Sequence, residues 1–128
     1  MPKIDYRREI LPDIEMYGGN TDQWEIDLYD GDGKRMTYEG ALHFTFSLVI
    51  KDYGYTHRQN GMNYFTLVKS GNVTHDQQMN ALLNFKFDKE DTLERYGKFT
   101  YQVIVEDNVY GLRNVAQGNL FITKAIDQ

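Results

Sequence analysis

Residues 81–124 read ALLNFKFDKEDTLERYGKFTYQVIVEDNVYGLRNVAQGNLFITK. Leu83, Phe85 and Phe87 alternate with Asn84 and Lys86, the period of a strand with one buried face. Asp88 is placed to cap a helical turn near residues 89–95, opened by Glu90 and Asp91, because carboxylates suit a helix N-terminus. Leu93 and Tyr96 are expected to close that turn onto the core. From Gly97 a second strand puts Phe99, Tyr101, Val103 and Val105 on one face. Asn108 to Gly111 turn the chain, and a last strand runs through Leu120 and Ile122.

The rest of the chain repeats this rhythm. Ile14 and Met16 start a short strand, and Gly18-Gly19-Asn20 signals a turn. Trp24, Ile26 and Leu28 alternate with polar residues, with Trp24 the expected core anchor. Asp30-Gly31-Asp32-Gly33 is a hairpin turn, since Asp and Gly tolerate positive φ. Leu42, Phe44, Phe46, Leu48 and Ile50 form the longest strand pattern, with His43, Thr45, Ser47 and Val49 on its other side. Residues 51–62 and 69–80 read as loops around a strand at residues 64–68. About seven strands, turns every 8–12 residues and no long helix predict an all-β, immunoglobulin-like antiparallel β-sandwich. Residues 1–12, bracketed by Pro2 and Pro12, read as an N-terminal arm, and 13–128 as the sandwich domain.

At 128 residues the chain is expected to be one domain, long enough to bury a core without metals or staples. Ten Tyr, seven Phe and one Trp favour β-structure, and a small core cannot hold them all, so some tyrosines face solvent. The net charge of −5 and the brevity of the Arg7-Arg8 run argue against a nucleic-acid surface. No Cys is present, so the redox compartment is not indicated. The first 15 residues hold no apolar stretch of signal-peptide type, and no apolar run approaches a membrane span. Synthesis in the cytoplasm without a secretory signal is the expectation.

Sites of chemistry are poorly supported. Asp30 and Asp32 start like a calcium loop, but the sixth and twelfth positions are Arg35 and Ala41 rather than Gly and Glu. His43, His57 and His75 share no metal-ligand spacing. Ser47 and Ser70 lie in no nucleophile motif. Gly18-Gly19 precedes a strand and so is no phosphate loop, and Asn72-Val73-Thr74 matches a glycosylation sequon by pattern alone. Carboxylates from separate strands could still form a glycosidase pair, yet no signature accompanies them. Neither cofactor nor metal is expected.

Recognition is expected instead from the loop Tyr53-Gly54-Tyr55-Thr56-His57-Arg58, whose Tyr and Arg side chains make good interface anchors or sugar-stacking platforms. In the arm, Ile4 and Tyr6 alternate with charged residues, a pattern compatible with a strand added to a partner's sheet edge. The candidate protein-binding residues are therefore Ile4, Tyr6, Tyr53, Tyr55, His57 and Arg58.

Several stretches resemble the N-terminal immunoglobulin-like domain of phage baseplate upper proteins. They are Gly19-Asn20-Thr21 leading to Trp24-x-Ile26-x-Leu28, then Asp30-x-Asp32-Gly33, then Gly40-Ala41 leading to Phe44-x-Phe46. Phe85-x-Phe87-Asp88-x-Glu90-Asp91, Leu93, Gly97-x-Phe99-x-Tyr101-x-Val103 and Gly118-x-Leu120-x-Ile122 follow. Such domains recur in phage tail and capsid-decorating proteins. The 51–62 and 69–80 loops look longer than in that family, and the trimerising region that would follow in a baseplate upper protein is absent from these 128 residues. Against the G-x-Y-x-C pattern of antibody domains, Phe99 holds the tyrosine place and Tyr101 the cysteine place, so a tyrosine-corner hydrogen bond is not expected.

The resemblance implies a non-enzymatic structural component of a bacteriophage virion: a tail or baseplate component, an adaptor, or a capsid decoration. Its expected partners are other virion proteins, met as repeated copies in a symmetric assembly, with no nucleic acid and no membrane. The rival reading is a carbohydrate-binding or adhesin module that uses the aromatic loop on host-surface glycans.

Overall fold

A computed structural model of the chain describes residues 11–30, 32–52, 66–111 and 113–124. Eight strands and two short helices lie among these residues: β1 (Ile14–Gly18), β2 (Asp22–Asp27), α1 (Tyr38–Ala41), β3 (Phe44–Asp52), β4 (Thr66–Ser70), β5 (Asn72–His75), β6 (Ala81–Phe87), α2 (Lys89–Thr92), β7 (Gly97–Asp107) and β8 (Arg113–Lys124). A five-stranded sheet, ordered β1-β8-β7-β3-β4, packs on a three-stranded sheet, ordered β2-β6-β5. The protein is an all-β, immunoglobulin-like sandwich.

Strand alternation creates the core. Trp24 and Ile26 on β2 and Leu83, Phe85 and Phe87 on β6 meet Leu48 and Ile50 on β3, Tyr101 and Val103 on β7, and Leu120 on β8. All of these are nearly or wholly without solvent contact. The Trp24 ring stands edge-on to Tyr101 across the two sheets at 5.5 Å and lies 5.0 Å from Phe87 within its own sheet. Aromatic pairs in these geometries add to area burial.

Several local features differ from the sequence reading. The sandwich is not wholly antiparallel: β1 runs parallel to β8, Ile14 opposite Leu120 and Gly18 opposite Lys124. Residues 69–80 are not one loop. They hold the end of β4, a crossing at Gly71 and all of β5 before the turn at Asp76. Gly71 carries the chain from one sheet to the other, its N–H donating to Phe46 O at 2.8 Å. Polar residues at 69–80 obscured β5 because an edge strand needs only one inward side chain, here Val73, to hold it.

Leu42 does not belong to β3. It follows α1, whose N-terminus Thr37 caps through a 3.1 Å bond from Gly40 N–H, and it is exposed. The second helical turn is shorter than expected, ending at Thr92. Asp88 is its N-cap, and the Asp91 carboxylate accepts the Asp88 N–H at 2.7 Å. Leu93 and Tyr96 face solvent rather than the core. Thr92 is buried in their place because its hydroxyl satisfies the Gly19 N–H at 3.0 Å.

Leu11 and Pro12 lie against β8. Leu11 is buried and its N–H donates to Gln117 O at 2.8 Å, while the Tyr101 hydroxyl donates to Pro12 O at 2.6 Å. The strand therefore does carry a tyrosine hydroxyl-to-backbone bond, made by Tyr101 and directed to the chain before β1.

Candidate docking surface

Ile4, Tyr6, Tyr53, Tyr55, His57 and Arg58 lie outside the described residues. On either side of residues 53–65, β3 ends at Asp52 and β4 starts at Thr66.

Among the described residues the surface with a distinct composition is the outer face of the five-stranded sheet. Pairing registers place Val68 opposite Val49, Val49 opposite Gln102, and Gln102 opposite Gln117. The adjacent outward row runs Ser70, Ser47, Ile104 and Val115. These eight side chains come from four strands and carry no charge. Val68 and Val115 are exposed, and Val49 and Ile104 are half-buried. Cross-strand Val68–Val49 and Ile104–Val115 pairs, with Val49 diagonal to Ile104, form an apolar band flanked by Ser and Gln. Gln102 Nε2 donates to Gln117 Oε1 at 3.3 Å. Charge returns only at the margins, at Lys51 in the next outward row on one side and at Glu106 and Arg113 on the other.

The β7–β8 hairpin presents a second exposed apolar group at its tip. Asp107 Oδ1 accepts from the Val109 and Tyr110 N–H groups at 2.8 and 3.3 Å, and Gly111 takes the positive φ of 71° that closes the turn. Asn108 ties the tip to β3, its N–H donating to His43 O at 2.9 Å and its Oδ1 accepting from Thr45 Oγ1 at 2.7 Å. Held in this way, Val109 and Tyr110 are 65% and 78% exposed. Tyrosine offers a large contact area with few rotatable bonds and so loses little side-chain freedom on contact, which is why it is favoured at interfaces.

Beside the tip, a groove of about 350 Å³ opens where α1 meets β3 and the β4–β5 crossing, with Ala41, Phe44, Phe46, Thr45 and Val73 among its lining. None of its lining residues is charged at neutral pH. Such a groove suits an uncharged apolar side chain rather than an ionic substrate.

The polar clusters are used by the fold. Asp30 Oδ1 accepts from the Asp32 and Lys34 N–H groups at 2.9 and 3.0 Å, as a turn carboxylate does. Arg35 reaches Asp27 at 3.3 Å, Asp76 at 3.9 Å and Ala81 O at 3.3 Å, joining the hairpin after β2 to the turn after β5. Hydrogen bonds from Asn80 and Gln78, with the Arg35 charge, hold the Asp76 carboxyl below its ordinary 3.8. His75 stacks edge-on against Tyr38 at 5.2 Å, and its Nδ1 lies 2.9 Å from Asp76 O. Asn72 and Thr74 of the sequon lie on β5, where Asn84 Nδ2 donates to Asn72 O and Thr74 Oγ1. Among the described residues no group of three or more His, Cys, Asp or Glu side chains is placed to hold a metal ion, and no helix is long and apolar enough to cross a membrane.

This uncharged face escaped the sequence reading because Val49, Ile104 and Val115 occupy outward positions on three separate strands. Each alone is an ordinary exposed apolar residue. Their β-branched, apolar character at solvent positions was the available signal, but only the register brings them together. Compared with known families and with curated proteins, the chain matches no family model and no curated relative.

Proposed function

We propose that the protein is a non-enzymatic structural component of a bacteriophage virion, acting through protein–protein contacts as an adaptor, tail or baseplate component, or capsid decoration. One observation carries the contact part of this reading: the charge-free outer face centred on Val49, Val68, Ile104 and Val115. Depletion of charge at the centre, with polar and charged residues at the rim, is the compositional mark of a protein interface. The tip residues Val109 and Tyr110 and the neutral groove beside them add an anchor and a recess. The resemblance to phage baseplate domains supplies the particle.

Mass spectrometry of purified phage particles tests the assignment. The chain is expected in the particle at a stoichiometry matching a symmetric component, and Ile104→Lys is expected to strongly reduce its incorporation. Absence from purified particles, together with monomeric binding on a glycan array that is lost in Tyr55→Ala, would overturn it in favour of a glycan-binding module.

A further inference from the structure

The edge of the five-stranded sheet at β4 differs in charge from the edges at β1 and β2. Edge strands usually carry charges or proline that block pairing with another chain. β1 carries the exposed Glu15, and β2 carries Asp22, Glu25 and Asp27. β5 has four residues, and Asn84 already bonds its Asn72 carbonyl. β4 reads Thr66-Leu67-Val68-Lys69-Ser70, and its one charge is withdrawn from the edge: Lys69 Nζ lies 2.6 Å from Asp91 Oδ2 on α2, both side chains largely covered.

Backbone direction follows from the register. Gly71 N–H donates to Phe46 O, so residues 71, 69 and 67 direct their amides towards β3. Antiparallel ladders alternate, so Thr66, Val68 and Ser70 direct their N–H and C=O groups away from it. Among the described residues no strand pairs with that side of β4.

We propose that β4 is a homotypic pairing edge, where a second copy of this chain adds its own β4 antiparallel about a two-fold axis through Val68. In this register Val68 meets Val68 of the second copy, and Thr66 meets Ser70 in both directions. These are the three positions whose amides point outward, so the joint gains about six backbone hydrogen bonds. The outward side chains pair as valine with valine and as threonine with serine, both favourable cross-strand types, and no like charges come opposite one another. Each Lys69 stays neutralised by Asp91 of its own copy. Because Val68 already lies opposite Val49, the pairing sets four valines in one row and makes the two apolar bands continuous across the joint. A two-fold contact closes on itself and yields a dimer rather than a filament.

Five residues from each copy make a small joint, so it is weak in dilute solution and strengthened where copies are held close together. The inference stands on the strand edge and does not rest on the virion reading; either can fail without the other.

Sedimentation equilibrium from about 10 µM to 1 mM tests it, a span suited to a small, transient contact. The native chain is expected to shift from monomer to dimer across that range. Val68→Lys and Val68→Glu, substitutions at a 61% exposed position, are each expected to stay monomeric and folded by circular dichroism. Their equimolar mixture is expected to recover a heterodimer that weakens with salt, because the two charges meet only if position 68 faces itself. A native chain that stays monomeric to 1 mM, a dimer unaffected by either substitution, or a mixture that fails to recover association would each overturn the proposal.

Discussion

The hydroxyl of Tyr101 donates a 2.6 Å hydrogen bond to the carbonyl oxygen of Pro12, 89 positions earlier in the chain. The ring of the same tyrosine packs against Trp24 in the opposite sheet. One side chain therefore joins the two sheets through its ring and pins the chain ahead of β1 through its hydroxyl. Gly118 permits this approach, since a Cβ there would stand 2.9 Å from both Leu11 O and the Tyr101 ring.

Tyr101→Phe keeps the ring and removes the bond. The loss is expected to be about 1–2 kcal/mol, the contribution of a hydrogen bond plus part of the cost of an unsatisfied carbonyl. Urea unfolding should show a lower midpoint at unchanged slope. A midpoint equal to that of the native chain would mean that water replaces the hydroxyl without loss.

The same group sets an alkaline limit. Burial, and secondly the charge of Asp13, raise the Tyr101 pKa above its ordinary 10.0. The unfolded chain releases this proton near pH 10, whereas the folded chain retains it to higher pH. The contribution is therefore complete below pH 10 and is lost as pH rises towards the folded value, at up to about 1.4 kcal/mol per pH unit. Urea midpoints at pH 9 and pH 11 should fall further for the native chain than for Tyr101→Phe, which cannot ionise at this position.

Thr92 and Leu93 invert the usual expectation about polar and apolar neighbours. Thr92→Val keeps the shape but strands the Gly19 N–H, at an expected cost of about 1–3 kcal/mol. Leu93→Ser, at a 54% exposed position, should change stability by no more than about 0.5 kcal/mol. Thermal melts of the two variants should separate clearly in that order.

Gly71 is a packing constraint at the sheet crossing. A Cβ there would overlap Leu83 Cδ1 and stand 2.9 Å from Phe46 Cβ. Gly71→Ala should cost roughly 1–3 kcal/mol through overpacking. Gly111→Ala, at an open position with φ of 71°, should cost less, about 1 kcal/mol from backbone strain alone. Chemical denaturation of the pair distinguishes steric from conformational cost.

Much of the architecture was legible in residues 81–124. Leu83, Phe85, Phe87, Phe99, Tyr101, Val103 and Val105 alternate because a sheet with one buried face imposes period two, and each of them is buried. The helical turn was visible in Asp88, Glu90 and Asp91, since capping is a local matter. Leu93 and Tyr96 were misread because hydrophobicity does not decide burial where the chain is short and Thr92 can satisfy a distant amide. β5 was missed because its four residues turn a single apolar side chain, Val73, towards the core, too few to show an alternation.

The sequence by itself determined the period of the strands, the positions of the turns and the aromatic core, all of which depend on neighbours a few residues apart. Only the tertiary structure decided which strands adjoin, and with them the parallel β1–β8 pair, the Tyr101–Pro12 bond and the uncharged face across β4, β3, β7 and β8. Those features join residues that are tens of positions apart. Their pairing is set by which registers bury the core together, a property of the whole fold that no local pattern encodes.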